Sequence, residues 1–282
     1  MLLSAAPLHG AEDGTVEDDG SGAWLPGRDR RLERREAAVE ENPELSLRLE
    51  NPLARILVLP VDTGFQKGGA ADRWAMRFSP RVPFVICEDW HLISRSEWSV
   101  VHSGGQGGQA DGDGLSDITQ SFFFSPDRAV VEQLYWGAGL SMVIPTATDD
   151  TLASDKFSLG PTLGVFRQRE PWTLGMVATH LWSVAGSGSA RNLSTTRLEP
   201  VIAYTSSFGT SVSLSAELNY DWLRDDWQVP LEGAVTQLTQ LGGRPLQFGV
   251  GARYWLDREA GQPDWSVFLR IALPLRSPRW GE

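Results

Sequence analysis

The stretch SVSLSAELNYDW, residues 211–222, decides the fold. Its odd-numbered residues are all polar, and its even-numbered residues are all apolar or aromatic: Val212, Leu214, Ala216, Leu218, Tyr220 and Trp222. Because successive side chains of a β-strand point to opposite faces, this alternation predicts a strand with one apolar and one polar face. The same pattern returns along the chain, so we predict an all-β protein.

Twelve alternating runs follow one another after residue 50. Most of them are close to the length of a tilted strand that crosses a bilayer, about 9 to 11 residues. Tight connections follow most even-numbered runs, and longer Gly-, Asp- and Ser-rich connections follow most odd-numbered runs. The runs are 53–62, 74–84, 90–101, 115–124, 133–144, 156–166, 172–184, 195–205, 211–222, 227–238, 245–255 and 265–275.

The composition excludes several classes of protein. The 282 residues carry a net charge of -11. Because nucleic-acid binding needs a basic surface, this charge argues against a nucleic-acid partner. No apolar stretch approaches the roughly 18 residues of a membrane-spanning helix. Cys87 is the only cysteine, so an internal disulfide is impossible. No Cys or His cluster has metal-ligand spacing, and we expect neither a metal nor a cofactor.

The chain divides into three parts. Residues 1–50 hold 12 acidic and 6 basic residues and are predicted to be a flexible charged segment, either a linker or a loose plug. Within it, residues 1–11 have small residues like those before a signal-peptidase site, and a truncated signal peptide and a disordered tail remain alternatives. Residues 51–276 are predicted to form the barrel, and residues 277–282 a C-terminal tail.

The polar face of the strands distinguishes a membrane barrel from a soluble one. In a soluble sandwich or barrel the apolar face is inside and the polar face is outside. Here the minor face combines small residues with many formal charges, which cannot fill a dry core. We therefore predict a single antiparallel transmembrane β-barrel of about 12 strands, with a wet interior, short periplasmic turns, longer extracellular loops and both termini in the periplasm.

Aromatic residues at the strand ends support this interpretation. In outer-membrane barrels, aromatic side chains form a girdle at each membrane interface. The alternative, Trp buried in a soluble core, does not predict placement at strand ends. The girdle residues that we predict are Trp74, Trp90, Trp172, Trp182, Trp222, Trp227, Tyr254 and Trp265.

Several strings of residues carry a family resemblance. In chain order they resemble the bacterial outer-membrane family described as transporters of the meta-pathway of phenol degradation. This resemblance implies an outer-membrane barrel through which small, aromatic or hydrophobic molecules pass, and it brings no catalytic motif. The strings are EDWHLISRSEW (88–98), GLSDITQSFFFSP (114–126), WGAGLSMVIPTATDDTL (136–152), THLWSVAG (179–186), NYDW (219–222) and PDWSVFL (263–269).

Charged residues on the inward face are the candidate lumen lining. Two interpretations remain open: opposing charges could create a transverse field that orients a solute, or they could pair across strands and rigidify a narrow lumen. Seven bases face six acids. The set is Arg77, Arg81, Arg95, Lys156, Arg197, Arg253 and Arg270 with Glu97, Asp117, Glu199, Glu217, Asp221 and Glu232.

Two other features each have a structural interpretation and a functional one. His180 shares its face with Trp172 and Trp182, so it belongs either to the aromatic girdle or to a lipid-hydrolysing Ser-His pair, which would also need an orienting third group. Asp111, Asp113 and Asp117 resemble the start of a calcium loop, but the spacing fails the complete pattern and favours solvated loop acids.

These patterns predict an outer-membrane channel for small molecules, not an enzyme. The alternatives are an outer-membrane lipid hydrolase and a structural surface barrel with a plugged lumen. The expected partners are outer-membrane lipids, a small-molecule solute and the barrel-assembly machinery.

Overall fold

The computed structural model describes residues 43–69, 72–103, 113–126, 133–188, 190–258 and 262–275. These residues form a closed antiparallel barrel of twelve strands. Four strands are interrupted and consist of two segments each. The strands are β1 (Leu57–Lys67), β2 (Arg73–Phe78 and Arg81–Cys87), β3 (Trp90–Ser103), β4 (Gly114–Leu115 and Ile118–Pro126), β5 (Leu134–Ile144), β6 (Lys156–Arg169), β7 (Trp172–Gly186), β8 (Ser194–Thr205), β9 (Thr210–Ala216 and Leu218–Asp221), β10 (Asp226–Gln228 and Pro230–Leu241), β11 (Arg244–Trp255) and β12 (Trp265–Leu275).

The barrel is an up-and-down meander that closes on itself. Each strand pairs antiparallel with its neighbour in the chain, and β12 pairs with β1 from Leu57 opposite Leu275 to Lys67 opposite Trp265. All-antiparallel pairing between sequential strands needs only short connections. Because the number of strands is even, the start of β1 and the end of β12 lie at the same rim.

The predicted and observed strands agree closely except for the first one. The alternation predicted a strand over 53–62, whereas β1 runs from Leu57 to Lys67. Leu53 and Ile56 are almost fully buried, but they pack in the interior beside a helix and not in the sheet. These apolar residues precede the strand in the chain and extend the apparent alternation towards the N-terminus. This explains why the predicted run begins before the observed strand.

The two faces of the strands have opposite polarity. Along β6, Thr162 is 3% exposed and points inward, whereas its neighbour Leu163 is 47% exposed and points outward. The same arrangement holds along β12, where the outward residues include Leu269 and Ile271. Polar groups inside and aliphatic groups outside are the reverse of a soluble barrel and are typical of a barrel surrounded by lipid.

The two rims differ in the length of their connections. One rim carries the turns 88–89, 170–171, 206–209 and 242–243 and the seven-residue connection 127–133, and we call it the short-turn rim. The other, the long-loop rim, carries the connections 68–72, 104–113, 145–155, 187–193, 222–225 and 256–264. Both ends of the barrel sheet, the start of β1 and the end of β12, lie at the short-turn rim.

Residues 43–53 enter the barrel from the short-turn rim, and we call them the plug segment. Residues 43–49 are helical, and Ser46 and Asn51 are completely buried. This part of the predicted flexible segment is therefore ordered and packed, because its Leu49 and Leu53 side chains join two apolar clusters of the barrel interior. The other predicted parts, residues 1–42 and the tail 277–282, lie outside the described residues.

The helix 43–49 is short. Among the described residues, no helix is long and apolar enough to span a membrane.

The closing seam between β1 and β12 depends on Gly64. A Cβ atom at Gly64 would collide with the backbone of Val267 and Phe268 on β12. We expect Gly64→Val to lower the free energy of unfolding by about 1–3 kcal/mol, the usual cost of overpacking. Urea unfolding of the refolded protein in detergent micelles measures this.

The matched control is Gly233→Val in β10. A Cβ atom there would meet no atom within 4 Å. Equal destabilisation by both substitutions would contradict the collision with β12 as the cause of the loss at Gly64.

Candidate functional site: the charged lumen

The barrel encloses a central cavity of about 240 Å³, and twelve of the residues that line it are charged. Six arginines and six carboxylates line it, so the formal charges balance. Inward-facing positions on eight of the strands supply eleven of them, and the plug segment supplies the twelfth. They are Arg77, Arg81, Arg95, Arg197, Arg253 and Arg270 with Glu50, Asp62, Glu97, Glu199, Glu217 and Glu232.

Ion pairs between β3 and β8 cross the lumen. Arg95 Nη2 on β3 lies 2.7 Å from Glu199 Oε2 on β8, and it also contacts Glu97 Oε1 at 2.5 Å. Glu97 in turn faces Arg197 Nη1 of β8 at 3.7 Å. Since β3 and β8 stand on nearly opposite walls of the ring, these side chains form a constriction. Arg95 and Arg197 both lie near these two carboxylates.

A second cluster joins β1, β10, β11 and β12. Arg270 donates from Nε and Nη2 to the two carboxylate oxygens of Asp62, each at 2.7 Å. Arg270 Nη2 also lies 2.8 Å from Glu232 Oε1, and Arg253 Nη2 lies 2.5 Å from Glu232 Oε2. Bidentate arginine-carboxylate pairs are the most directional of charged hydrogen bonds, so this cluster holds four strands in a fixed arrangement.

The plug segment forms the floor of the central cavity. Arg81 donates to the backbone carbonyls of Leu49 and Asn51, both at 3.0 Å. Asn51 donates to Gln168 Oε1 at 3.0 Å, and Gln168 donates to Leu47 O at 2.6 Å. The contacts join the plug segment to β2 and β6.

Ser46 and Glu50 complete the contacts of the plug segment. Ser46 donates to Gly209 O in the turn between β8 and β9 at 3.1 Å. Burial raises the pKa of the Glu50 carboxyl, and the nearby Arg270 and Arg81 oppose that rise. The plug segment therefore closes the short-turn end of the lumen by polar contacts as well as by apolar packing.

A second cavity, about 550 Å³ in volume, opens at the long-loop rim. It shares Arg197 and Glu217 with the central cavity, so the two adjoin. The predicted lumen residues Lys156 and Asp221 line this outer cavity and not the central one. Lys156 Nζ donates to Ser187 O at 2.6 Å, which ties β6 to the loop after β7.

Asp117 belongs to the loops and not to the lumen. Its carboxylate accepts from the backbone N–H groups of Thr146 and Ala147 at 3.0 Å and of Ser154 at 2.8 Å. Asp113 accepts from Ser103 N at 2.7 Å. Within the described ranges, no group of His, Cys, Asp and Glu could hold a metal ion. Asp111 lies outside those ranges.

The alternation did not identify two of the cavity carboxylates. Asp62 is the last residue of the first predicted run, but the alternation in that run was irregular and its inward face was not assigned. Extending the strand to Lys67, as observed, gives Asp62 the same face as Gly64 and Gln66. Glu50 could not be found, because no periodic pattern places the plug segment inside the barrel.

The predicted girdle residues lie at the two rims and are exposed on the outer face. Trp74, Trp182, Trp222, Trp227, Tyr254 and Trp265 lie towards the long-loop rim, and Trp90 and Trp172 towards the short-turn rim. Phe65 packs edge-on against Trp74 and Trp265 at ring distances of 5.7 and 6.3 Å. Trp172 packs against Tyr204 in the same way at 5.2 Å.

His180 lies among the aromatic residues of the outer face. Its ring centroid is 4.1 Å from that of Trp182, and its Nδ1 is 2.7 Å from the Thr196 hydroxyl, which also accepts from Trp222 Nε1. Its Nε2 has no hydrogen-bond partner among the described residues. A hydrolytic His needs a nucleophile and an orienting group, and these contacts supply no orienting group.

Comparisons with known proteins agree with the architecture. No family model and no curated protein matches the sequence. Among solved structures, the fold is similar to the COG4313 outer membrane channel from Pseudomonas putida F1, with a TM-score of 0.58 over 78% of this chain and 94% of that chain at 14% identity. It is also similar to the NanC porin, with a TM-score of 0.54 over 77% and 99% of the two chains at 10% identity. At these identities the likeness shows the fold alone, which is that of an outer-membrane β-barrel.

Proposed function

We propose that this protein is an outer-membrane channel for small solutes. The observation that carries the proposal is a polar interior, with an outer cavity at the long-loop rim that adjoins the central charged cavity, enclosed by an apolar outer surface. Such a surface is suited to lipid, and such an interior is suited to water and polar solutes. The small, aromatic solutes suggested by the family resemblance are part of this proposal.

The difference between the rims supports an orientation. Outer-membrane barrels place short turns in the periplasm and longer loops outside the cell. By this rule the long-loop rim faces outwards, and both termini and the plug segment are periplasmic. Outer-membrane lipids and the barrel-assembly machinery are then the partners that such a barrel needs.

A structural barrel with a plugged lumen is the second candidate. The plug segment is the observation that favours it, because residues 43–53 fill the short-turn end of the lumen. The two candidates differ in whether the plug segment ever leaves its position.

Planar-bilayer recordings of the refolded full-length protein distinguish the two candidates. A channel should give discrete conductance steps, interrupted by closures when the plug segment returns. Silent insertion of correctly folded protein, together with liposomes that do not swell in small sugars, would leave only the plugged structural barrel.

Loosening the plug segment should raise the conductance. Arg81→Gln removes charged hydrogen bonds to Leu49 O and Asn51 O, each worth about 1.5–3 kcal/mol. Each 1.4 kcal/mol changes an equilibrium by about tenfold, so we expect the open fraction to rise by about tenfold or more. Arg73→Gln is the control, because Arg73 lies on the same strand and contacts Gln66. An unchanged open fraction in Arg81→Gln would contradict the assignment of the plug segment as the closing element.

The cross-lumen ion pairs should control ion selectivity. Glu199→Gln keeps the shape of the side chain and removes one negative charge from the constriction. We expect the reversal potential in an about tenfold KCl gradient to shift towards anion preference. Glu88→Gln, in the exposed turn 88–89, should leave it unchanged. A shift of the reversal potential by the same amount in both variants would mean that the cross-lumen ion pairs do not control ion selectivity.

A further inference from the structure

Arg77 differs from the other arginines of the central cavity. Arg95, Arg197, Arg253 and Arg270 are in ion pairs, and Arg81 donates to two backbone carbonyls. Within the described part of the chain, the Arg77 guanidinium has neither a salt-bridge carboxylate nor a hydrogen-bond acceptor. Arg77 thus lines the cavity, and the described residues give its donors no partner.

The reason lies in the register of the strands. Asp62 on β1 is directly opposite Arg77 on β2, but it is also directly opposite Arg270 on β12. Both oxygens of Asp62 accept from Arg270. The residue opposite Arg77 on its other side is Ser99, which carries no charge. Arg77 and Arg270 thus flank the Asp62 carboxylate, and Arg270 binds both of its oxygens.

The space beside Arg77 is open. Arg77 and Arg253 line both the central cavity and a smaller adjoining one of about 60 Å³. Gly64 and Ala75 border the smaller cavity, and such short side chains leave room around the guanidinium. Glu97, Glu217 and Glu232 act on Arg77 electrostatically without forming an ion pair with it. A guanidinium with no carboxylate in ion-pair contact, in a confined space next to a second arginine, is a site for an anion.

The wall opposite Arg77 has an apolar part. Phe166 on β6, Val177 on β7 and Val201 on β8 line the central cavity, and β8 stands opposite β2 in the ring of twelve strands. Phe166 and Val177 belong to one of the two buried apolar clusters, and Val201 packs against it. Phe166 and Val177 are almost fully buried in that cluster, and only their edges border the cavity, whereas Val201 is half-buried. The cavity therefore offers a cation without an ion-pair partner among the described residues on one wall and an apolar edge on the other.

We propose that Arg77 binds the carboxylate of a small organic anion whose apolar body lies towards Phe166, Val177 and Val201. The planar guanidinium matches a carboxylate with two parallel hydrogen bonds. The apolar body gives a preference over inorganic anions, and the charge gives a preference over neutral molecules. This inference deepens the proposed channel function and rests on it, since the anion would be the solute that passes.

Fluorine NMR titrations of 4-fluorobenzoate test the proposal with refolded full-length protein in detergent micelles, corrected for protein-free micelles. We expect saturable line broadening with the wild type. The dissociation constant should rise about tenfold or more in Arg77→Gln, because a charged hydrogen-bond partner is lost. It should rise less in Arg77→Lys, which keeps the charge, and should stay unchanged in Arg73→Gln.

Two further ligands test the chemistry of the site. 4-Fluorobenzyl alcohol has a similar shape and no charge, and it should bind at least about tenfold more weakly than the benzoate. Inorganic phosphate should compete poorly. Equal binding of the alcohol, strong competition by phosphate, equal loss in Arg73→Gln or unchanged binding in Arg77→Gln would each overturn the proposal.

The binding experiment does not depend on conductance. If the protein binds the benzoate through Arg77 but forms no conducting pore, the proposed channel function fails while the anion site stands. If it conducts but shows no Arg77-dependent binding, the channel stands and the anion site fails.

Discussion

The structure depends on one constraint, that no strand edge is left without a partner. In lipid an unpaired backbone N–H or C=O group costs several kcal/mol, so a sheet with an apolar outer face is stable there only as a closed ring. The pairing of β1 with β12 over the whole length of β1 meets this constraint. Gly64 lies on this seam, where a side chain would collide with the backbone of β12.

Closure puts a large number of polar groups into a narrow interior, and these must also find partners. The charged clusters supply these partners in two ways. Asp62 and Arg270 pair between adjacent strands and fix the register of the wall, whereas Arg95 and Glu199 meet across the lumen. The two interpretations of the inward charges, pairing and a transverse field, are therefore compatible in one barrel. Among the described residues the pairing is not complete, since Arg77 takes no part in it.

Local alternation was sufficient to predict the twelve strands, because the two faces of each strand meet different surroundings. It also assigns Arg95 and Glu199 to the inward face. Their pairing was not predictable, since it depends on which strands stand opposite each other. A loose plug was one of the two interpretations of residues 1–50, but the contacts of the plug segment were not predictable for a related reason: Ser46 contacts Gly209, far along the chain, and no periodicity records such a contact. Lys156 and Asp117 were assigned to the lumen by parity, but loop backbone groups hold their side chains at the rim.

The plug segment can also be regarded as a ligand that is covalently tethered to its own receptor. Residues 54–56 alone join the plug segment to β1, and a short tether keeps an effective concentration in the millimolar range. A solute that competes with it from solution faces that concentration at every encounter, whatever the dilution of the protein. The occupancy of the lumen is thus insensitive to protein abundance, and only changes in contact strength or in the solute can shift it.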